Sequence, residues 1–334
     1  MKTVADTSSR ALSDVKAFSL RHFFFQWEWL LVVVLLIINV INASLSPYYL
    51  NFTNIMSALQ TYGDKMILIF PMMMIIVLGE IDISIASTIA LSSVLMGVAY
   101  SFGVPMPLAM FLALITGTFC GFINGIILAK YKELASMIVT LATMIIYRGI
   151  ASIILEDRAA GKFPGWFSFL GWGNIWQVPF IFVVFLIEAA VFTYVIHLTK
   201  FGRCLYAAGN NAETARYSGI HTNRNKIIVF TVMGLFAAIA GMFLASKMGS
   251  VRPSTAKGYE LDVIAMVVLG GVSTSGGSGK SVGILLAAFI ITSLRYGLGL
   301  SNMPSQLILI IIGVLLVIAA AIPNIKGMFG QFSK

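Results

Sequence analysis

The chain has 334 residues and a formal net charge of +9, yet only 10% of it is charged and 59% is hydrophobic. Soluble domains carry about a quarter charged residues, so a soluble fold is excluded. Mean hydropathy of +0.94 and 30 glycines spread through apolar runs fit one polytopic membrane domain, an all-α helix bundle packed through small residues. The basic residues lie between the apolar runs rather than in a stripe, which suits inner-facing loops and argues against nucleic acid. Cys120, Cys204, His22, His197 and His221 are scattered, so neither a structural disulfide nor a metal site is expected.

Residues 1–26 are polar and carry Arg10, Lys16 and Arg21, which reads as a cytoplasmic tail. The run from Trp27 to about Ser44 is too long for a signal-peptide core and lacks a small-residue cleavage site, so it is expected to stay as a first span. After Pro47 and the interfacial pair Tyr48-Tyr49, apolar runs follow at roughly 64–79, 84–103, 107–129, 134–155, 178–198, 225–246, 259–272, 281–298 and 305–323. That gives about ten transmembrane segments in a domain covering 27–323, then a tail at 324–334. Two of the runs, 64–79 and 259–272, are short and end in glycine followed by polar residues.

Ten crossings place Lys130/Lys132, the cluster Lys200, Arg203, Arg216, Arg224 and Lys226, then Lys280, Lys326 and Lys334 all on the inner side with both termini, as short basic loops require. Outside fall 46–63, 156–177 with Trp166, Trp172 and Trp176, and 247–258, where Lys247, Arg252 and Lys257 are exceptions. Were 259–272 a re-entrant hairpin, the C-terminus would flip outward.

Gly276-Gly277-Ser278-Gly279-Lys280-Ser281 resembles a phosphate-cradling loop, but the position that needs its first glycine is Thr274, so nucleotide binding is rejected. The glycines mark instead a break in a membrane segment, tolerated only where protein or a water-filled cavity satisfies the backbone. A second break lies at Gly79-Glu80-Ile81-Asp82-Ile83-Ser84. Paired glycine-broken segments in the two halves of a chain point to a transport site. Candidates for the pathway are therefore Asp82, Ser84, Gly270, Gly271, Ser273 and Thr274, although Asp82 fits equally well as a cap for the next helix. Arg148 and Glu188 interrupt apolar runs, where a charge costs about 2.5–3.5 kcal/mol and needs a partner, a cavity or the interface; Arg148 joins the pathway candidates. Gly117, Gly121 and Gly125 repeat on one helix face, as do Ala237, Gly241 and Ala245, both signals of close helix packing.

The most informative stretch is Thr199 to Ile220, in a loop expected at about 199–226. Asn211 is placed to cap a short helix with Glu213 in its first turn, and Gly219 to end it. Gly202, Arg203, Ala207, Gly209, Asn211, Ala215, Arg216, Ser218 and Gly219-Ile220 resemble the cytoplasmic loop of the permeases of bacterial ABC sugar importers, the ribose, galactose, rhamnose and autoinducer-2 group. Gly258-Tyr259-Glu260-Leu261, Val268-Leu269-Gly270-Gly271, Gly79 to Ser84 and Arg148-Gly149 are similar to further segments of that family. Glu80 departs from it, standing where the family has glycine. The likeness runs from about residue 30 to the end.

The resemblance implies a permease that is not itself an enzyme and binds no cofactor, with ATP-Mg on a separate ATPase subunit. The further partners it implies are a periplasmic sugar-binding protein and a second permease, identical or paralogous, in the bacterial inner membrane. The stretch carrying Gly202, Arg203, Gly209, Asn211, Glu213, Ala215, Arg216, Ser218 and Gly219 is then the ATPase-coupling loop. An ion-coupled transporter using Asp82, Arg148 and Glu188 as a relay is the competing class. An intramembrane hydrolase has no motif here.

Overall fold

A computed structural model describes residues 27–156, 158–315 and 317. The expected tails at 1–26 and 324–334, and the end of the last apolar run at 318–323, lie outside the described residues. The chain is an all-α bundle. Its elements are α1 (Trp27–Leu45), α2 (Phe52–Met66), α3 (Ile69–Val77), α4 (Ile85–Ser101), α5 (Met106–Lys130), α6 (Ser136–Leu155), α7 (Ser168–Trp172), α8 (Phe180–Leu198), α9 (Lys200–Asn210), α10 (Ala212–Tyr217), α11 (Thr222–Met248), α12 (Tyr259–Leu269), α13 (Ser281–Leu300) and α14 (Ser305–Leu315). Among the described residues, α1, α5, α6, α8, α11 and α13 are long and apolar enough to cross a membrane, while α4 and α14 are apolar but shorter.

The first short run is longer than its hydropathy implied. Residues 52–78 form two helices, α2 and α3, joined at Ile67 and Leu68. α2 is hidden from a hydropathy reading because it carries Asn54, Ser57, Gln60, Thr61, Asp64 and Lys65. All nine residues of α3 are buried, as expected of a helix apolar on every side, and Phe70 packs on Phe185 and Phe192 of α8 at 6.2 and 6.0 Å between ring centres.

α5 and α11 pack face to face through their small residues. A Cβ added at Gly117 or Gly121 would overlap the carbonyl oxygen of Gly234 or Phe230, the close backbone approach that such stripes permit. The second stripe, on α11, faces a different neighbour: Gly241 lies against Ile89 and Ser92 of α4.

The expected outer loops are ordered by short elements. β1 (Ala160–Gly161) pairs antiparallel with β4 (Ser250–Val251), and β2 (Asn174–Ile175) with β3 (Val178–Pro179). α7 sits on the end of α11, where Gly171 N donates to Ser246 Oγ at 2.9 Å and Trp172 Nε1 to the Lys247 carbonyl at 3.1 Å. The bundle therefore has two distinct ends: one capped by α7, the other carrying α9 and α10.

Candidate functional site

At the α9 end the two chain breaks and the polar loop meet. The loop contains more helix than its sequence showed: α9, of 11 residues, precedes the expected short helix α10. Thr199 caps α9 by accepting from Gly202 N at 3.4 Å, and Asn211 Oδ1 accepts from Thr214 N at 2.9 Å at the start of α10. Gly219, with φ +83°, ends α10. Gly202, Leu205, Ala208 and Ala215 face inward, whereas Arg203, Asn211, Glu213, Arg216, Ser218 and Gly219 are exposed. An open crevice of about 490 Å³ lies beside α10, lined by Arg216, Ile220, His221, Asn223 and Arg224. The loop thus presents a polar outer face on an apolar, glycine-bearing inner one.

What that inner face touches is backbone. A Cβ at Gly209 would overlap the Val77 carbonyl oxygen at the end of α3 and come within 2.7 Å of Gly277 N in the second break. Gly277 N donates to that same Val77 carbonyl at 2.8 Å. A Cβ at Gly276 would lie 2.7 Å from the Gly209 carbonyl oxygen and 2.9 Å from Gly79 N. Three chain segments, 77–79, 209–210 and 275–277, therefore touch at glycines, because only residues without a Cβ let three backbones approach so closely. Tyr206 OH adds a hydrogen bond to the Gly279 carbonyl at 2.7 Å, and burial pushes its pKa up to about 12. One turn before α9, His197 Nε2 lies 2.9 Å from Ser281 Oγ at the start of α13.

The first break is non-helical from 79 to 84, with Gly79 at φ +77°. Asp82 is buried, and its Oδ1 accepts from Ser84 N at 2.8 Å and Ser84 Oγ at 2.7 Å, next to the start of α4. Ser84 Oγ in turn accepts from Asn124 Nδ2 of α5 at 2.8 Å, and Tyr147 OH of α6 donates to Asn124 Oδ1 at 3.3 Å. Ile81 N and Ile83 N donate to Ser136 Oγ and Thr140 Oγ1 of α6. The break keeps its shape because α5 and α6 satisfy its freed polar groups, as membrane-depth backbone demands. Glu80, the departure from the family pattern, ion-pairs with Lys226 in the first turns of α11. A carboxylate there has a partner close to the loop instead of a gap to fill.

In the second break Gly270 is buried, and a Cβ on it would lie 2.6 Å from Ile284 Cα. Gly271 has φ +85° under the indole of Trp27, whose Nε1 donates to the Leu269 carbonyl at 3.0 Å. Ser273 Oγ accepts from Ser275 N at 3.2 Å, closing a local turn. Asp82, Ser84, Gly270, Gly271 and Ser273 thus all belong to breaks of the bundle. Arg148 does not join them. Its Nη1 donates to the Pro253 and Thr255 carbonyls at 2.6 and 3.3 Å, fastening the loop before α12 at the opposite end. Glu188 is buried on α8 with neither carboxyl oxygen hydrogen-bonded. Among the described residues no hydrogen bond or ion pair joins any two of Asp82, Arg148 and Glu188.

A charged cluster at the α7 end was not legible in the sequence. Lys65 Nζ lies 2.6 Å from Asp262 Oδ2, and Arg295 pairs with the other oxygen of Asp262. Lys247 Nζ lies 2.8 Å from Asp64 Oδ1, while Tyr259 OH donates to Asp64 Oδ2 at 2.8 Å. The available signals were Asp64-Lys65 at the rim of an apolar run and Lys247 as a basic exception in an expected outer loop.

Six long apolar helices and two glycine-broken segments among the described residues fit a membrane protein, and the sequence comparisons give its class. Residues 54–320 match the family described as the branched-chain amino acid transport system / permease component. The chain belongs to this family of ABC-importer permeases, transport subunits rather than enzymes. It is similar to the ribose import permease protein RbsC of Bacillus subtilis (strain 168), 35% identical over 88% of this chain and 91% of that protein. The Escherichia coli (strain K12) RbsC is 32% identical over 91% of this chain and 97% of its own. The autoinducer 2 import system permease protein LsrD of the same strain is 32% identical over 87% and 90%. No solved structure matches the chain significantly.

Proposed function

We propose that this chain is the permease subunit of an ATP-binding-cassette importer for a monosaccharide or a similar small polyol-like solute. In this assignment the segment 199–226 is the cytoplasmic coupling loop, docking through the exposed face of α9 and α10 onto a separate ATPase that binds ATP-Mg. The observation that carries it is the contact of Gly209 with the ends of both broken segments. A push on α9 acts directly on Val77, at the end of α3, and on Gly277, in the break that follows α12.

Ten crossings follow if α2–α3 counts as one and α12 as another: α1, α2–α3, α4, α5, α6, α8, α11, α12, α13 and α14. Both termini are then cytoplasmic, 27–323 is a single membrane domain of the bacterial inner membrane, and the α7 end faces the periplasm, where a sugar-binding protein delivers solute. A second permease, identical or paralogous, completes the pathway. The names of the relatives in ribose and autoinducer 2 import support the solute class.

The test is reconstitution of the chain with its ATPase and binding protein in proteoliposomes, with uptake of labelled ribose and related sugars measured. Uptake that requires internal or external ATP on the ATPase side and survives collapse of the proton gradient is the expected result. Uptake by the permease alone, driven by an ion gradient, would show an ion-coupled transporter instead.

A further inference from the structure

The charge cluster lies at the α7 end, opposite the docking loop, and its burial needs a reason. Asp64 is fully buried, and Lys65 and Asp262 are 8% and 6% exposed. Lys65 also sits over the ring of Tyr259, 4.4 Å from its centre, and Lys247 Nζ donates to the Thr61 carbonyl at 2.8 Å. Removing five charges from water is costly, and the loss is recovered only while every partner is in place. Such a cluster contributes little to stability over an apolar core of equal volume. Its attested use is to fix one arrangement against alternatives.

The element it fixes is α12. Tyr259 and Asp262 lie in the first turn of that helix, and the cluster binds them to α2 through Asp64 and Lys65 and to α13 through Arg295. α12 is 11 residues long, or about 16 Å, roughly half the hydrocarbon core. Its other end is the break whose Gly277 touches α3 and α9. The helix and the turn at 270–277 that follows it therefore join the charge cluster to the docking loop. Arg148 adds a third hold, on the loop that leads into α12.

We propose that Asp64, Lys65, Lys247, Asp262 and Arg295 form a latch that holds the start of α12 and opens once in each transport cycle. It rests on the importer assignment above. Displacement of the glycine break by the docking loop pulls on the end of α12 through residues 270–277, and its first turn then leaves Lys65 and Arg295. With the pairs separated, water entering at the α7 end solvates the freed charges, which lowers the cost of the open arrangement relative to a dry one. The latch therefore holds the start of α12 while its partners stay paired and makes opening less costly once the loop has moved.

The test uses the complete transporter in proteoliposomes. The triple variant Lys65→Gln, Asp262→Asn, Arg295→Gln removes the triad's charges while leaving polar amides and no unpaired ion. ATP hydrolysed per solute taken up is expected to rise by about fivefold or more, the scale of a modest coupling loss. An unchanged ratio in the triple variant, with the parent transporting normally, overturns the latch but not the importer; a parent without ATP-dependent uptake overturns the importer. Should the triple variant fail to assemble, hydrogen exchange on the parent decides. Amides of residues 249–262 are expected to exchange about threefold or more faster in one nucleotide state than in another, as for a locally opening segment. Equal exchange in every state overturns the latch.

Discussion

Gly209→Ala adds one methyl group at the point where three backbones meet. The new Cβ would overlap the Val77 carbonyl and press on Gly277 N, both backbone atoms of other segments, so no side chain can rotate away to make room. Overpacking of this kind costs about 1–3 kcal/mol. Separating Gly277 N from the Val77 carbonyl removes a hydrogen bond of about 1 kcal/mol. Alanine returns up to about 1 kcal/mol as the better helix former within α9. The docked arrangement is therefore weakened by about 1–3 kcal/mol, a factor of about 5–150 in its population. In proteoliposomes with the partner ATPase and binding protein, ATP-driven uptake should fall at least about fivefold, while ATP hydrolysis falls less because the exposed face of the loop is untouched. The permease should still insert. Uptake within about twofold of the parent, together with a higher melting temperature, would refute the close contact, since that is how an ordinary open helix position responds to alanine.

Gly271→Val places a β-branched residue at φ +85° and against the Trp27 indole; strain and overlap together cost about 2–5 kcal/mol, so uptake should be lost, and normal uptake would make the second break peripheral. Asp82→Asn keeps an acceptor oxygen for Ser84 N and Oγ, so ATP-driven uptake should stay within about threefold of the parent, the usual scale of a cap exchanged for a near-equal one. Loss of uptake by that variant, with gradient dependence in the parent, would favour a proton relay and an ion-coupled mechanism.

The amino-acid pattern by itself determined the helical membrane class, because a chain with so few charges and such long apolar runs has no other way to satisfy its backbone in lipid. It also determined the caps at Asn211 and Gly219, which depend on local geometry alone, and the small-residue faces at Gly117–Gly125 and Ala237–Ala245. What those faces meet was decided by the tertiary structure: one stripe found α5 against α11, the other α11 against α4. Hydropathy missed α2, since its polar residues average it to an unremarkable window; Asp64 and Lys65 stood at the start of the 64–79 run without a visible partner, and the fold brings Lys247 and Asp262 to them from 183 and 197 residues away. The docking loop and the two breaks were each visible as separate glycine-rich stretches. That Gly276 touches both Gly79 and Gly209 is a fact of packing, because an absent side chain leaves no periodic signal of the backbone that fills its place.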